Sequence, residues 1–396
     1  STTPLTLEAL KNSGLDPEDD TVRQVIARAV ELRGLPRHLG QHSGGIVISR
    51  RPVPEMFPIE NATMPFRTVG SWDKDDLEAL NIFKIDLLGL GMLSAVRRTF
   101  ELAKTYEGID YTLANIPAED PRVYDMISAA DTIGTFQVES RAQMQTLPKL
   151  KPRTFYDLVV SVAIIRPGPI QGDMVHPYLR RRAGEEPIEY PHPALEDILG
   201  RTCGVPLFQE QVMKIAVKVA GFTGGEADHL RRAIGWNSKA HIDALKEKFI
   251  NGMTTRGVSL DYAERVFRMI QGFGGYGFPE SHSASFALIA YASCYLKRYH
   301  PGAFLAAMLN SQPLGFYSPN TLIQDGQRHG VEVRSPSVRE SDHGSTLEDA
   351  DPARAERWYA DPERPQCAQH TPWADWVEHG GSRGRKLQPA VRLGLV

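Results

Sequence analysis

Apolar residues recur every three or four positions over most of this chain, the spacing that puts them on one face of an α-helix. Leu5, Leu7, Leu10 and Leu15 form a first set, then Val22, Val25, Ile26, Ala29, Val30 and Leu32 a second. Residues 5–34 are therefore predicted to be helices, with the acids between Asp16 and Asp20 favouring a helix start and Gly34 and Pro36 ending it. Helical spacing also predicts helices over Met92–Tyr106, most of 119–165, 173–182, Glu210–Ala220, a stretch ending near Ile234, Lys239–Met253, Tyr262–Gln271 and Ser283–Leu296. Strands are predicted where the period changes: Ile46–Ser49 after a glycine turn, Met64–Val69, Gly134–Val138 and Gly204–Leu207. Ser140 reads as a helix N-cap after the third of these, and Ser281-His282-Ser283 as the cap of the helix that follows. The run Phe83-Lys84-Ile85-Asp86-Leu87-Leu88-Gly89-Leu90 reads as a buried strand leading into a helix. The pattern predicts a mostly helical α+β chain without internal repeats.

Composition narrows the class. A chain of 396 residues suggests two to three domains, and 41% apolar residues can build a core. Cys203, Cys294 and Cys367 lie far apart and form no disulfide framework, which favours a reducing cytoplasm. No apolar run is long enough to span a membrane. The chain has no initiator Met and no signal segment, and it is expected to be a fragment of a larger protein. Residues 335–390 are rich in Asp, Glu, Arg, Pro and Gly and are predicted to be a surface segment or poorly ordered linker, with Trp358, Trp373 and Trp376 against complete disorder.

Several side chains carry candidate chemistry. Asp86 is a carboxylate inside an apolar run; it is a cap, half of a pair with Lys84 or an arginine, or a metal ligand. Asp73 and Asp75 resemble a paired metal site, although acids also favour a helix start. Arg166 precedes a rigid Pro167-Gly168-Pro169 loop, Arg180-Arg181-Arg182 share one turn, and Arg231-Arg232 end a helix. Tyr276 sits among glycines, with His282 at the next helix start. Arginine forks, helix N-termini and stacking aromatics suit a polyanion such as a nucleoside triphosphate, a nucleic-acid backbone, or both.

Ordered motifs then point to a family. Trp72-Asp73-Lys74-Asp75-Asp76-Leu77-Glu78-Ala79-Leu80 and Lys84-Ile85-Asp86-Leu87-Leu88-Gly89-Leu90 resemble the palm of the bacterial family C DNA polymerases, the DNA polymerase III alpha-subunit family. Gly134-Thr135-Phe136-Gln137-Val138-Glu139-Ser140-Arg141, Arg166-Pro167-Gly168-Pro169, Phe208-Gln209-Glu210-Gln211-Val212-Met213, Leu230-Arg231-Arg232-Ala233 and Gly275-Tyr276-Gly277-Phe278 resemble its fingers, in order. Pro279-Glu280-Ser281-His282-Ser283-Ala284-Ser285-Phe286 and the stretch from Leu309 to Pro319 are similar to the error-prone branch; the replicative branch usually has a lysine near position 280.

The resemblance implies a partial polymerase palm with a small mixed sheet and a large helical fingers domain. Residues 1–40 would be the end of the thumb, 41–90 the second part of the palm, 91–340 the fingers, and 341–396 a poorly matched linker or the end of the fingers. It implies DNA-templated nucleotidyl transfer by a two-metal mechanism with Mg²⁺, in repair and damage-induced mutagenesis. Asp86 matches the third catalytic aspartate, a metal ligand. Arg231, Arg232, Tyr276 and His282 match positions facing the incoming nucleotide, and Arg166 lies in a matching motif. The family's other two catalytic aspartates belong to a motif this sequence does not contain, so the isolated chain is expected to be inactive. Primer–template DNA and deoxynucleoside triphosphates are the implied partners, with a sliding clamp and other mutagenesis proteins reached through regions this sequence lacks. The alternatives are the replicative alpha subunit and a non-catalytic DNA- or nucleotide-binding remnant.

Overall fold

The computed structural model describes residues 16, 18–32, 45–62, 66–87, 90–165, 175–235, 239–272, 279–314, 317–351, 353 and 389–395. They fall into two compact units, Ser1–Leu90 and Gly91–Val396.

In the first unit, Asp19 caps α1 (Asp20–Glu31), its carboxylate accepting from the amides of Thr21 at 2.6 Å and Val22 at 3.2 Å. The predicted helical residues 5–15 lie outside the described residues. Strand β1 (Gly45–Ile48) pairs antiparallel with β4 (Phe83–Asp86), and β2 (Ile59–Asn61) with β3 (Thr68–Gly70). Helix α2 (Lys74–Ala79) closes a small core of Phe57, Leu77 and Ile82, with Trp72 stacked on Phe57 at 5.4 Å. The expectation that Phe83 onward is a buried strand fails. Among the described residues β4 has one partner strand, and across it Ile46 pairs with Ile85 and Ile48 with Phe83 on one face of the ribbon. That face is open, and Phe83 is 64% exposed; only the opposite face packs, through Val47.

The second unit is built on helices. Helix α3 (Leu90–Leu102) ends in a π-helical turn, Ala103–Glu107, whose last side chain reaches His300 at 2.5 Å. Helices α4 (Pro121–Ser128), α5 (Arg141–Leu150), α6 (Phe155–Ile164) and α7 (Val175–Arg182) lead to a bundle of α8 (Pro193–Leu199), α9 (Gln209–Lys218), α10 (Gly224–Gly235), α11 (Lys239–Thr254) and α12 (Leu260–Gly272). That bundle has its own core around Phe222, Phe249 and Phe267. The long α13 (Glu280–Tyr299) lies along α6, and both share a second core with α4, α5 and α7. A third core joins α3, α14 (Pro301–Leu309) and α15 (Pro319–Arg328) to a three-stranded sheet. In that sheet β5 (Val333–Arg334) runs parallel to β7 (Ala390–Arg392), and β6 (Thr346–Glu348) antiparallel to it. Among the described residues the mixed sheet thus lies in this unit, while the first unit holds antiparallel ribbons.

Four local expectations are corrected. Gly134–Val138 is a series of turns, because Gly134 and Gln137 take φ of +78° and +64° and the Glu139 carboxylate accepts from the Gly134 amide at 3.1 Å. The Ser140 cap of α5 is present, 3.3 Å from the Gln143 amide. Gly204–Leu207 is an irregular lead-in to α9, following left-handed Cys203 and Gly204. α13 begins at Glu280, so Ser281–Ser283 lie inside its first turn; buried Ser283 donates to the Val159 carbonyl at 2.5 Å instead of capping. The described part of 335–390 is not a loose linker, since Glu348 in β6 bonds both Arg334 and Arg392. Trp358, Trp373 and Trp376 lie outside the described residues. Among the described helices, none is long and apolar enough to cross a membrane.

Candidate functional site

Asp86 is the last residue of β4, opposite Gly45 across the ribbon; its side chain is outside the described residues. Arg166 and Tyr276 also lie outside them. Asp73 is spent on local structure: its carboxylate accepts from the Asp76 amide at 2.9 Å and so caps α2. The side chain of Asp75 is not described.

In the second unit the positions i, i+3 and i+4 of α10 bring Asp228, Arg231 and Arg232 onto one face. Arg231 holds one carboxylate oxygen of Asp228 through Nε and Nη2 at 2.9 and 2.8 Å. Arg232 holds the other through Nε at 2.9 Å. The two guanidinium groups keep the Asp228 carboxyl below its ordinary range. Both arginines remain open to solvent, and the trio carries a net positive charge. His282 stands on α13, its ring 4.1 Å from that of Phe286, which meets Phe136 edge-on at 5.2 Å. Burial lowers the His282 pKa below its ordinary 6.5, so near neutral pH it offers a polar, stacking ring and not a cation.

The triple arginine of α7 is committed to the protein. Arg180 and Arg181 bind Glu186 at 3.1 and 3.0 Å. Arg182 donates to the Leu150 and Lys151 carbonyls at 2.7 and 3.2 Å and pairs with Asp157 at 2.5 Å.

Sequence reasoning missed two clusters. In the first, buried Lys297 of α13 reaches Asp325 at 2.9 Å, Asp131 at 3.3 Å and the Ile133 carbonyl at 3.0 Å. His329 lies 2.5 Å from Asp131, and its Nδ1 is 2.7 Å from the Asp325 carbonyl. Asp131, Asp325 and His329 are, among the described residues, the one trio whose ligand atoms converge as on a metal ion. The Lys297 ammonium already bridges the two carboxylates, so the trio is an ion-pair cluster joining α13 to α15. The spacing of Asp325 and His329, one helical turn apart, was the legible signal; Asp131 and Lys297 come from distant segments. In the second, Tyr156 of α6 donates to Glu280 at 2.9 Å, and the Arg201 guanidinium lies 3.5 Å from the centre of the Tyr156 ring. The Glu280 amide donates to Glu210 of α9 at 3.0 Å.

Comparison with known proteins adds to this geometry. The model of the bacterial DNA polymerase III alpha NTPase domain matches residues 3–89. The model of the bacterial DNA polymerase III alpha subunit finger domain matches residues 92–257. An error-prone DNA polymerase of Alkalilimnicola ehrlichii is 58% identical over 350 residues, covering 87% of this chain and 34% of the relative. Error-prone DNA polymerases of Teredinibacter turnerae and Pseudomonas fluorescens are each 54% identical, covering 98% and 100% of this chain and 36% of each relative. The chain thus spans about a third of the length of these curated relatives. The order of its motifs, its mostly helical α+β fold and these matches agree: the chain belongs to the bacterial DNA polymerase III alpha-subunit family, on its error-prone branch.

Proposed function

We propose that this chain serves DNA-templated nucleotidyl transfer of the error-prone type, with primer–template DNA and deoxynucleoside triphosphates as substrates. The carrying observation is the tandem match of two alpha-subunit domain models, together with relatives named error-prone DNA polymerase at 54–58% identity. In this reading residues 1–40 end the thumb, 41–90 continue the palm and 91–340 form the fingers. The triphosphate competes with Asp228 for the forks of Arg231 and Arg232, since a phosphate offers more charge and more acceptor oxygens than one carboxylate. His282, neutral, orients the nucleotide by hydrogen bonding or stacking. Tyr276 and Arg166 are assigned to the same task from their motifs.

A DNA polymerase uses divalent metal ions, and Mg²⁺ is the ion proposed here. Asp86 supplies one hard oxygen donor suited to it. A two-metal centre needs several carboxylates, and the converging trio among the described residues is filled by Lys297. Among the described residues no such centre is complete. The missing paired-aspartate motif favours, as a second reading, a binding role without catalysis for the chain by itself. A cytoplasmic location and contacts with a sliding clamp belong to the proposal for the whole protein.

Binding of a labelled primer–template and of dATP by the 396-residue chain tests this reading. DNA affinity is expected to fall steeply with salt, and Arg231→Gln with Arg232→Gln to weaken dATP binding about tenfold or more, as for lost charge-assisted bonds. No binding at low salt, or dATP affinity indifferent to both substitutions, overturns it.

A further inference from the structure

The first turn of α13 is anchored in an unusual way. Its N-cap, Pro279, has no side-chain group to satisfy the exposed amides. Two neighbouring helices hold this turn, one through an amide and one through a side chain. Glu210 of α9 accepts from the Glu280 amide at 3.0 Å, and Tyr156 of α6 donates to the Glu280 carboxylate at 2.9 Å. The Arg201 guanidinium, 3.5 Å above the Tyr156 ring, holds that ring by a cation–π contact and fixes the direction of its hydroxyl. Three residues further on, Ser283 is tied to the Val159 carbonyl of α6. His282 lies between these two anchors, against Phe286.

We propose that Glu280, held by Tyr156 and Arg201, is a positioning residue that sets His282 for the incoming nucleotide. The inference rests on the reading that His282 faces that nucleotide. A helix turn is stiff, so a side chain tethered at its first residue sets the orientation of the third. The tether also commits the Glu280 and Glu210 carboxylates to protein donors, so that neither is left as an unpaired acceptor beside a triphosphate. Glu280 does not touch the nucleotide in this account; it acts through His282.

The test is dATP affinity, with Mg²⁺ and a primer–template, for the 396-residue chain and four variants. Tyr156→Phe removes the hydroxyl and keeps the ring under Arg201. Glu280→Ala removes the acceptor. Each is expected to weaken dATP binding about tenfold, the scale of one hydrogen bond to a charged group. Both act on one bond, so the double variant should be no weaker than either single one. Glu280→Gln keeps an oxygen for the Tyr156 hydroxyl and is expected to bind within about twofold of the parent. Melting temperatures are recorded alongside. If the parent chain binds no dATP, the nucleotide reading falls and this inference with it. If the parent binds and Tyr156→Phe and Glu280→Ala bind equally well, the positioning role alone is overturned. A loss shared by Glu280→Gln and matched by a lower melting temperature also overturns it, because it marks a merely structural contact.

Discussion

Glu139 is a buried side chain whose titration changes the stability of this fold. It sits at the end of the Gly134–Val138 turns and is 6% exposed. Its carboxylate accepts from the Gly134 amide at 3.1 Å. Burial pushes its pKa from 4.5 up to about 7, opposed by the Gly134 amide and by the charge of Lys297. The folded chain therefore holds this proton more tightly than the unfolded chain. Stability is greatest below the unfolded value of 4.5 and falls as pH rises toward about 7. The shift corresponds to about 3 kcal/mol lost across that window. Glu139→Gln keeps an oxygen for the Gly134 amide and cannot ionise. Urea unfolding of parent and variant, between about pH 4 and pH 8.5, reads the difference directly. The variant should match the parent at the acid end and exceed it by about 3 kcal/mol at the alkaline end. A difference between the two that stays constant with pH would refute the reasoning, because every other titrating group is common to both.

Lys297→Met removes the buried ammonium that bridges Asp131 and Asp325 and should cost about 3–5 kcal/mol in urea unfolding, part of it recovered by adding Asp131→Asn and Asp325→Asn. At Asp131 burial opposes ionisation, but Lys297 and His329 outweigh it and hold the carboxyl below its ordinary 3.8; its stabilisation is present above that value and is lost on further acidification, which an acid-unfolding curve shows. Arg182→Ala removes the ties to Leu150, Lys151 and Asp157 and should lower stability by about 2–4 kcal/mol. Affinity for dATP should be unchanged in that variant, because Arg182 is committed to the protein, whereas Arg231→Gln should weaken it. In α11 a methyl group added at Gly252 would stand 1.9 Å from the Ala220 carbonyl oxygen. Gly252→Ala should therefore cost about 2 kcal/mol or more in the same unfolding assay.

Much of the helical framework was legible because long amphipathic segments announce themselves. Met92–Tyr106, Glu210–Ala220 and Lys239–Met253 all emerged close to their observed bounds. The failures share a cause: short apolar stretches do not say whether they are paired. Gly134–Val138 is apolar enough for a strand, yet a carboxylate five residues on and two left-handed residues fold it into turns. Residues 335–390 read as a linker because β5, β6 and β7 are only two or three residues long and meet across a wide sequence gap. The pairing of Arg231 and Arg232 through Asp228 was implicit in helical spacing. The tethers of His282 were not, since Tyr156, Arg201, Glu210 and Glu280 come from four elements and converge only in three dimensions.

As proposed above, this chain carries part of a DNA polymerase in which Asp86 holds metal. The most direct measurement is primer extension, with Mg²⁺ and four deoxynucleotides, by the Pseudomonas fluorescens relative after this chain replaces its matched stretch, which is 54% identical. The graft should extend a primer, Asp86→Asn in the graft should abolish extension, and the 396-residue chain alone should extend nothing, since one carboxylate cannot hold two metal ions. A folded graft that does not extend where the relative does, or extension that survives Asp86→Asn, would contradict the account.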